Sequence, residues 1–255
     1  NRMPLLGLGT AELTVRTVDT ICNALELGFR MIDTCADYHT QRGIGEALRA
    51  AGVDRNAIFV ITKVGPDEDA YAAVGKSLAQ LRLDYLDLVL LQAPPQFGVG
   101  ESSWQALRRA RREGLTRDIG VSNYSIDCIE ELVYRSGVLP AVNQVEWSPF
   151  GHSPRMLDFC RDNDIVIQAA SPLTRARRLD DAKLGVMAAR YGKTPAQLLI
   201  RWNLQLGVAP LPKANHVTHQ RENLNVFGFE ILPQDMARLN ALNEHFSTSD
   251  RLAYL

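Results

Sequence analysis

The feature that most limits how this chain can fold is a series of eight short apolar runs that alternate with segments of helical periodicity. Each run is nearly continuous in apolar residues, which is typical of parallel strands that are buried on both faces and covered by helices. No low-complexity linker interrupts the alternation, so we expect a parallel sheet in a single domain spanning residues 1–255. Eight such units predict an α/β fold of the (β/α)8 TIM-barrel type. The runs are residues 5–10, 31–34, 59–63, 86–92, 118–123, 141–146, 166–171 and 208–212.

The segments between the runs carry signals for helix starts. Ser125 precedes one segment, and Thr194 precedes another whose first helical residue is Pro195. The alternative architecture, a doubly wound dinucleotide-binding sheet, needs a Gly-x-Gly-x-x-Gly turn after its first strand. The stretch GLG at 7–9 comes closest, but Glu12 occupies the third glycine position, so the sequence favours the barrel. The predicted helices are residues 18–27, 41–51, 69–80, 102–113, 126–135, 154–162, 182–191, 195–206, 218–225 and 233–242.

Composition and charge narrow the function classes. A formal net charge of -1 argues against nucleic acid or a membrane surface as partners. No apolar run reaches the roughly 18 residues that a membrane span requires. The four cysteines are too scattered for a metal site, a redox pair or a disulfide framework, which favours a reduced, cytoplasmic setting. They are Cys22, Cys35, Cys128 and Cys160. We expect Cys35 to be a small buried side chain rather than a reactive thiol.

Polar side chains stand where the predicted strands end. In a barrel of this type, the chemistry belongs at the carboxyl ends of the strands. A lysine at the end of a buried strand needs a carboxylate partner or a functional task. Lys63 is such a lysine. It would form either a structural ion pair with Asp33 or part of an acid site with shifted pKa values. The strand-end residues are Asp33 with Tyr38 just beyond it, Lys63, Gln92, Ser122 and Asn123, Gln144 and Glu146, Ser171, and Lys213.

Asp33, Tyr38 and Lys63 together predict a proton donor. A phenol, with an ordinary pKa of about 10, is a poor acid at neutral pH. A neighbouring ammonium group would stabilise the phenolate and lower the pKa of Tyr38, while Asp33 would hold Lys63 in place and keep it charged. The group that receives the proton would be a carbonyl oxygen whose carbon has just accepted a hydride.

At this point the sequence resembles the aldo-keto reductase family, and the resemblance covers almost the whole chain. It implies a (β/α)8 barrel that binds NADP(H) in extended form without a Rossmann domain, and hydride transfer between nicotinamide and an aldehyde or ketone. The motifs are GLGT at 7–10, GFRMIDTCADY at 28–38, TK at 62–63, LDYLDLVLL at 83–91, IGVSNY at 119–124, NQVEWSP at 143–149, SPL at 171–173, PLPK at 210–213 and EN at 222–223.

The resemblance also implies roles for individual residues. Tyr38 matches the catalytic acid, and Asp33 and Lys63 match its two supporting residues. The family's fourth catalytic residue is a histidine at the end of the fourth strand, where this chain has Gln92. A glutamine amide can donate a hydrogen bond to a substrate oxygen but cannot relay a proton. We therefore expect Gln92 to orient the substrate, and the substrate to be specialised, for example an enone.

The implied cofactor-binding residues fall into three groups. For the nicotinamide carboxamide they are Ser122, Asn123 and Gln144, and for the pyrophosphate loop Ser171 and Leu173. For the adenosine phosphate and adenine they are Lys213, Glu222 and Asn223. To these we add three neighbouring residues, Arg175, Asn215 and His219, as candidate cofactor contacts. Arg175 is included because it follows the SPL motif directly and arginine favours phosphate.

Three further departures from the family pattern affect the pockets. Ala170 replaces the aromatic residue that stacks on nicotinamide, and Ala11 replaces a tryptophan that walls the substrate pocket. Ala214 and His219 replace a serine and an arginine around the 2′-phosphate. The resemblance implies a preference for NADP(H). Because arginine is a permanent bidentate phosphate ligand and histidine is not, we expect this preference to be weaker here, so that NAD(H) can also bind.

The sequence therefore predicts an NADP(H)-dependent oxidoreductase of aldo-keto reductase type that acts on a small carbonyl substrate and holds no metal. Two alternatives stay open: a cofactor-binding barrel with little turnover and a regulatory role, or a redox-neutral acid/base enzyme that uses Tyr38. The loop at 94–101 and the C-terminal tail with Tyr254 are candidate walls of the substrate pocket. The oligomeric state is left open.

Overall fold

The computed structural model describes residues 2–13, 15–249 and 252, so Tyr254 lies outside the described residues. Strands and helices alternate along the chain as the sequence predicts. The strands are β1 (Leu8–Gly9), β2 (Met31–Asp33), β3 (Phe59–Val64), β4 (Leu86–Leu91), β5 (Thr116–Ser122), β6 (Val142–Glu146), β7 (Val166–Ala170) and β8 (Ala209–Pro210). The helices are α1 (Thr17–Leu27), α2 (Gln41–Ala50), α3 (Ala70–Leu81), α4 (Glu101–Arg112), α5 (Ile126–Ser136), α6 (Pro154–Asp162), α7 (Ala182–Arg190), α8 (Pro195–Gln205), α9 (Val217–Leu224) and α10 (Pro233–Asn240).

The eight strands are parallel neighbours in chain order, from β1 to β8. The two ends of this sheet meet, because the backbone N–H groups of Gly7 and Gly9 donate to the carbonyl oxygens of Pro210 and Pro212, each at 3.1 Å. A Cβ at Gly9 would lie 2.7 Å from the carbonyl oxygen of Leu211, so the close approach requires glycine. The strands and their helices thus have the (β/α)8 barrel arrangement.

The strand boundaries differ from the predicted ones mainly at the closing seam. β1 and β8 are each only two residues long, where the sequence predicts 5–10 and 208–212. Pro210 and Pro212 lack an N–H group, so within residues 209–212 only Ala209 and Leu211 can donate backbone hydrogen bonds. β5 begins at Thr116, before the predicted residue 118, because Thr116 pairs with Leu86 of β4.

Side-chain alternation along the strands decides which residues face the barrel interior. One apolar cluster consists only of strand residues and their immediate flanks, and it fills the interior. Since alternate residues of a strand share a face, Asp33 lies on the side of Met31, Lys63 on that of Ile61, and Gln144 on that of Val142. The polar strand ends therefore form the top layer of this interior. The cluster consists of Met31, Phe59, Ile61, Leu88, Leu90, Val142, Ala209 and Leu211.

The predicted helix starts at Ser125 and Thr194 are confirmed. The Ser125 side chain accepts from the Cys128 N–H group, and Thr194 forms a reciprocal capping box with Gln197 ahead of Pro195. A larger apolar cluster packs the helices against the outer faces of the strands. Across the described part of the chain, no helix is both long and apolar enough to cross a membrane.

Candidate active site

A buried ion pair lies at the ends of β2 and β3. Lys63 Nζ donates to Asp33 Oδ1 at 2.6 Å and to Oδ2 at 2.8 Å, and both residues are at most 4% exposed. The Nε2 group of Gln144, on β6 across the barrel, also donates to Asp33 Oδ1 at 2.9 Å. Asp33 is therefore held by donors from two sides of the barrel. These donors compensate the buried carboxylate for the water that it has lost.

The electrostatics of Lys63 favour its charged form. Burial alone would lower the pKa of Lys63, but the attraction of Asp33, supported by Tyr38, outweighs that penalty and raises the pKa above its ordinary value. Lys63 therefore stays an ammonium group through the neutral range. A fixed positive charge is thus available beside Tyr38 in the water-poor interior.

Tyr38 ends a short 3₁₀ turn, Ala36–Tyr38, that follows β2. The Lys63 ammonium nitrogen lies 5.2 Å from the centroid of the Tyr38 ring. The expectation of a lowered pKa for Tyr38 is wrong for this structure. Burial raises the pKa of the phenol, and the charge of Lys63, which acts in the opposite direction, offsets that effect only in part. The phenol is therefore fully protonated at neutral pH.

Gln92 follows β4 and its backbone is held on both sides. Its N–H group donates to Val64 O at 2.9 Å, and its carbonyl oxygen accepts from Asn123 Nδ2 at 3.0 Å. The side-chain Oε1 accepts from the Cys35 thiol at 3.6 Å. The backbone of Gln92 thus has little freedom, and its amide group is within reach of the segment that carries Tyr38.

The three residues predicted to hold a carboxamide form one hydrogen-bonded group. Asn123, at a left-handed φ of 61°, uses its amide hydrogens on Gln92 O and on Ser122 Oγ at 3.2 Å. Gln144 uses its own on Asp33 and on Gln168 Oε1, and Ser122 Oγ donates to Gln144 O at 2.8 Å. The amide oxygens of Asn123 and Gln144 accept nothing from the described residues. Both can accept hydrogen bonds from the NH2 group of a ligand.

A cavity of about 550 Å³ opens at the carboxyl ends of the strands, within the usual range for small-molecule sites. The predicted residues that line it are Asp33, Tyr38, Gln144, Ser171, Leu173, Arg175, Lys213, His219, Glu222 and Asn223. Lys63, Gln92, Ser122, Asn123 and Asn215 are not among the lining residues; Lys63 reaches the site through Asp33. Ala11 and Ala170, the two small residues that the sequence analysis singled out, also line the cavity.

Asn223 provides a test of whether the far end of the cavity suits a nucleotide. Its Nδ2 atom is buried and has no hydrogen-bond partner among the described residues. An unpaired buried amide costs free energy, so this position suits a ligand that brings an acceptor, such as a purine ring nitrogen. Lys213 and His219, both exposed, supply nitrogen donors beside it. The residues present therefore fit the adenosine half of NADP(H).

Sequence reasoning missed Glu12 as a site residue. Glu12 follows β1, lines the cavity, and accepts from Arg175 Nη1 at 3.0 Å, while its carbonyl oxygen accepts from Lys213 Nζ at 3.2 Å. Both partners of the ion pair are exposed, so the pair contributes little to stability. A charged residue directly after the first strand was the available signal. Contact of Arg175 with a cofactor remains a prediction.

The segment directly after β7 is not an α-helix. It forms only a 3₁₀ turn, Thr174–Ala176, whose residues have positive φ angles. Arg178 turns away and pairs with Glu244 at 2.6 Å. Hence no helix N-terminus faces the cavity here. Among the described residues, no cluster of three His, Cys, Asp or Glu side chains could hold a metal ion.

Comparisons with known proteins agree with this geometry. A model of the Aldo/keto reductase family matches residues 5–244. An aldo-keto reductase of Mycobacterium leprae is 37% identical over 250 residues, which cover 96% of this chain and 89% of that protein. A glyoxal reductase of Bacillus subtilis is 36% identical over 248 residues, which cover 95% of this chain and 90% of that protein.

Solved structures are similar as well. An aldo/keto reductase of Brucella melitensis superposes with a TM-score of 0.89 at 31% identity, covering 95% of this chain and 96% of that one. A Bombyx mori aldo-keto reductase in complex with NADP gives a TM-score of 0.92 at 29% identity, covering 100% and 95%. This chain therefore belongs to the aldo/keto reductase family, and it is an NAD(P)H-dependent oxidoreductase.

Proposed function

We propose that this protein reduces a small carbonyl compound with NADPH, and that Tyr38 is the proton donor. The observation that carries the proposal is the group formed by Asp33, Lys63 and Tyr38 at the edge of one large cavity. The residues that line the cavity include members of β1, β2, β6, β7 and the segment after β8. A nucleotide and a small substrate would share this space.

The nicotinamide cofactor, when bound, supplies the hydride for the carbonyl carbon. The amide oxygens of Asn123 and Gln144 would accept from its carboxamide NH2 and so fix which face of the ring meets the substrate. Asn223 would contact the adenine with its unpaired Nδ2 atom. Lys213 and His219 would contact the 2′-phosphate, and this is the reason to expect a preference for NADP(H) over NAD(H).

Tyr38 would donate its proton to the substrate oxygen as negative charge develops there. The raised pKa keeps the donor protonated before the reaction. Lys63 would stabilise the phenolate that forms, and because Asp33 holds Lys63 in advance, little reorganisation is needed at that moment. The ion pair is therefore structural and functional at once.

Gln92 would orient the substrate by donating a hydrogen bond from its amide to the carbonyl oxygen. An amide donates without titrating, so it adds no second proton source. This favours substrates that need orientation more than extra acid strength, such as enones or dicarbonyl compounds. The name of the related glyoxal reductase makes glyoxal a sensible member of the test panel.

The test combines binding with turnover. NADPH and NADH are titrated by fluorescence, and cofactor oxidation is then followed with aldehydes, ketones, enones and glyoxal for the wild type and Tyr38→Phe. We expect Tyr38→Phe to lower kcat/KM by roughly 10²- to 10⁴-fold with an unchanged dissociation constant for NADPH. Failure of both nucleotides to bind would refute the proposal. Turnover indifferent to Tyr38→Phe would move the acid role elsewhere, and binding without turnover would favour a regulatory barrel.

A further inference from the structure

We propose that Cys35 is a positioning residue for Gln92: its thiol holds the amide oxygen and so presents the amide NH2 group to the substrate. The inference rests on the proposed role of Gln92. Cys35 is part of the segment that links Asp33 to Tyr38, and the contact joins this segment to the end of β4. Two groups that would act on one carbonyl oxygen are thereby fixed relative to each other.

The placement of Cys35 suits a fixed donor. Its side chain is 1% exposed, and its carbonyl oxygen accepts from the Tyr38 N–H group at 3.2 Å at the start of the 3₁₀ turn. Its sulfur lies 3.6 Å from Gln92 Oε1 and 3.9 Å from Lys63 O. Burial raises the pKa of the thiol, so at neutral pH it carries the hydrogen that this contact requires. A buried, protonated thiol is also a poor nucleophile.

Gln92 needs such a partner because its amide has two ends of nearly equal shape. The terminal torsion of glutamine is broad and roughly two-fold, so a half-turn exchanges oxygen and nitrogen. A thiol hydrogen discriminates between the two ends, because it bonds the oxygen and not the NH2 group. The Nε2 atom has no hydrogen-bond partner among the described residues, and the Gln92 side chain is only half-buried. Its donors are therefore available to a ligand.

The flipped amide would place its oxygen against the carbonyl oxygen of the substrate, and the two acceptors repel. Loss of the thiol therefore lowers the fraction of enzyme that can orient the substrate. A hydrogen bond changes the ratio of the two amide orientations by roughly two- to tenfold. Because the free amide has no strong preference between its two ends, loss of this bond lowers the productive fraction to about one half. The effect belongs to substrate orientation, so binding of the cofactor does not change.

The kinetic test compares Cys35→Ala with the same substitution at Cys160, which is also 1% exposed and contacts Met156 in the outer core. We expect Cys35→Ala to lower kcat/KM for the carbonyl by up to about twofold, and Cys160→Ala to leave it unchanged. Cys35→Ser keeps a hydroxyl donor on a shorter arm, so its value should lie between the wild type and Cys35→Ala. In a Gln92→Leu background, Cys35→Ala should have no further effect.

A second readout does not depend on turnover. The side-chain amide resonances of Gln92, assigned in the cofactor-free protein through Gln92→Leu, should shift in Cys35→Ala and stay in place in Cys160→Ala. Additive effects of Cys35→Ala and Gln92→Leu on kcat/KM, or Gln92 resonances unmoved by Cys35→Ala, would overturn the proposal. If Tyr38→Phe retains full activity while the resonances do shift, the proposed catalytic function fails and the contact between Cys35 and Gln92 stands.

Discussion

Lys63→Met gives the most direct measure of how this site is held together. The methionine fills similar volume but leaves the Asp33 carboxylate, 4% exposed, with Gln144 as its remaining side-chain donor. Removing one member of a buried pair costs about 3–5 kcal/mol. Because the Gln144 hydrogen bond at 2.9 Å survives, we expect a value near the lower end, about 3 kcal/mol. The combined variant Asp33→Asn/Lys63→Met removes both charges and should cost clearly less.

The assay is urea unfolding of the cofactor-free protein at neutral pH, which reports stability independently of catalysis. The double variant is the matched control, because it makes the same change at Lys63 without leaving an uncompensated charge. A loss below about 1 kcal/mol for Lys63→Met would contradict the reasoning. So would a double variant whose loss equals the sum of the two single losses, since that sum would mean that the two groups do not interact.

The pH dependence of this difference has a definite sign. The pKa of Lys63 is higher in the folded protein than its ordinary value of 10.5. Below 10.5 both folded and unfolded chains hold the proton, so the stabilisation is complete. Above 10.5 the unfolded chain loses its proton first, and the stabilisation declines as the pH rises through the folded value. The difference between wild type and Lys63→Met should therefore be constant near neutral pH and shrink in strong alkali.

Two further predictions concern the closing seam and the cofactor. Gly9→Ala should destabilise the fold by about 2 kcal/mol in urea unfolding, because the added Cβ meets the Leu211 carbonyl oxygen. The control, Gly75→Ala, places its Cβ in open space on α3 and should be neutral or stabilising. Equal effects of the two substitutions would refute the steric argument. Lys213→Ala should weaken NADPH binding about tenfold or more by fluorescence titration and NADH binding by about twofold at most. Equal losses for the two nucleotides would place Lys213 away from the 2′-phosphate.

The repeating units of the fold could be predicted from local sequence, because each strand and helix carries its own periodicity. The partners of Asp33 illustrate where that reasoning ends. Lys63 was an evident partner, since a buried lysine at the next strand end needs a carboxylate. Gln144, 111 residues from Asp33 in the chain, became a partner only through closure of the barrel, which no local pattern encodes.

The contacts of Glu12 and Cys35 were missed for the same physical reason. Glu12 meets Arg175, 163 residues away, and Cys35 meets Gln92, 57 residues away. Each contact depends on where loops cross the top of the barrel. The prediction of a lowered pKa for Tyr38 is wrong because the depth at which the phenol is buried is a property of packing. Burial, with the charge of Asp33 acting in the same direction, outweighs the charge of Lys63.

Hydrogen bonds that run from Lys63 through Asp33 and Gln144 to Gln168 form a polar layer across the barrel interior. Beneath this layer the barrel interior is filled by apolar side chains such as Met31 and Leu88, and Gln168 itself is 0% exposed. The amide hydrogens of Gln144 are both engaged within this layer. This hydrogen-bonded layer and the apolar side chains below it therefore separate the site from the bottom of the barrel. In the proposed mechanism, a proton given up by Tyr38 would be replaced from the cavity side, so the rate of reprotonation would depend on how the cavity opens to solvent.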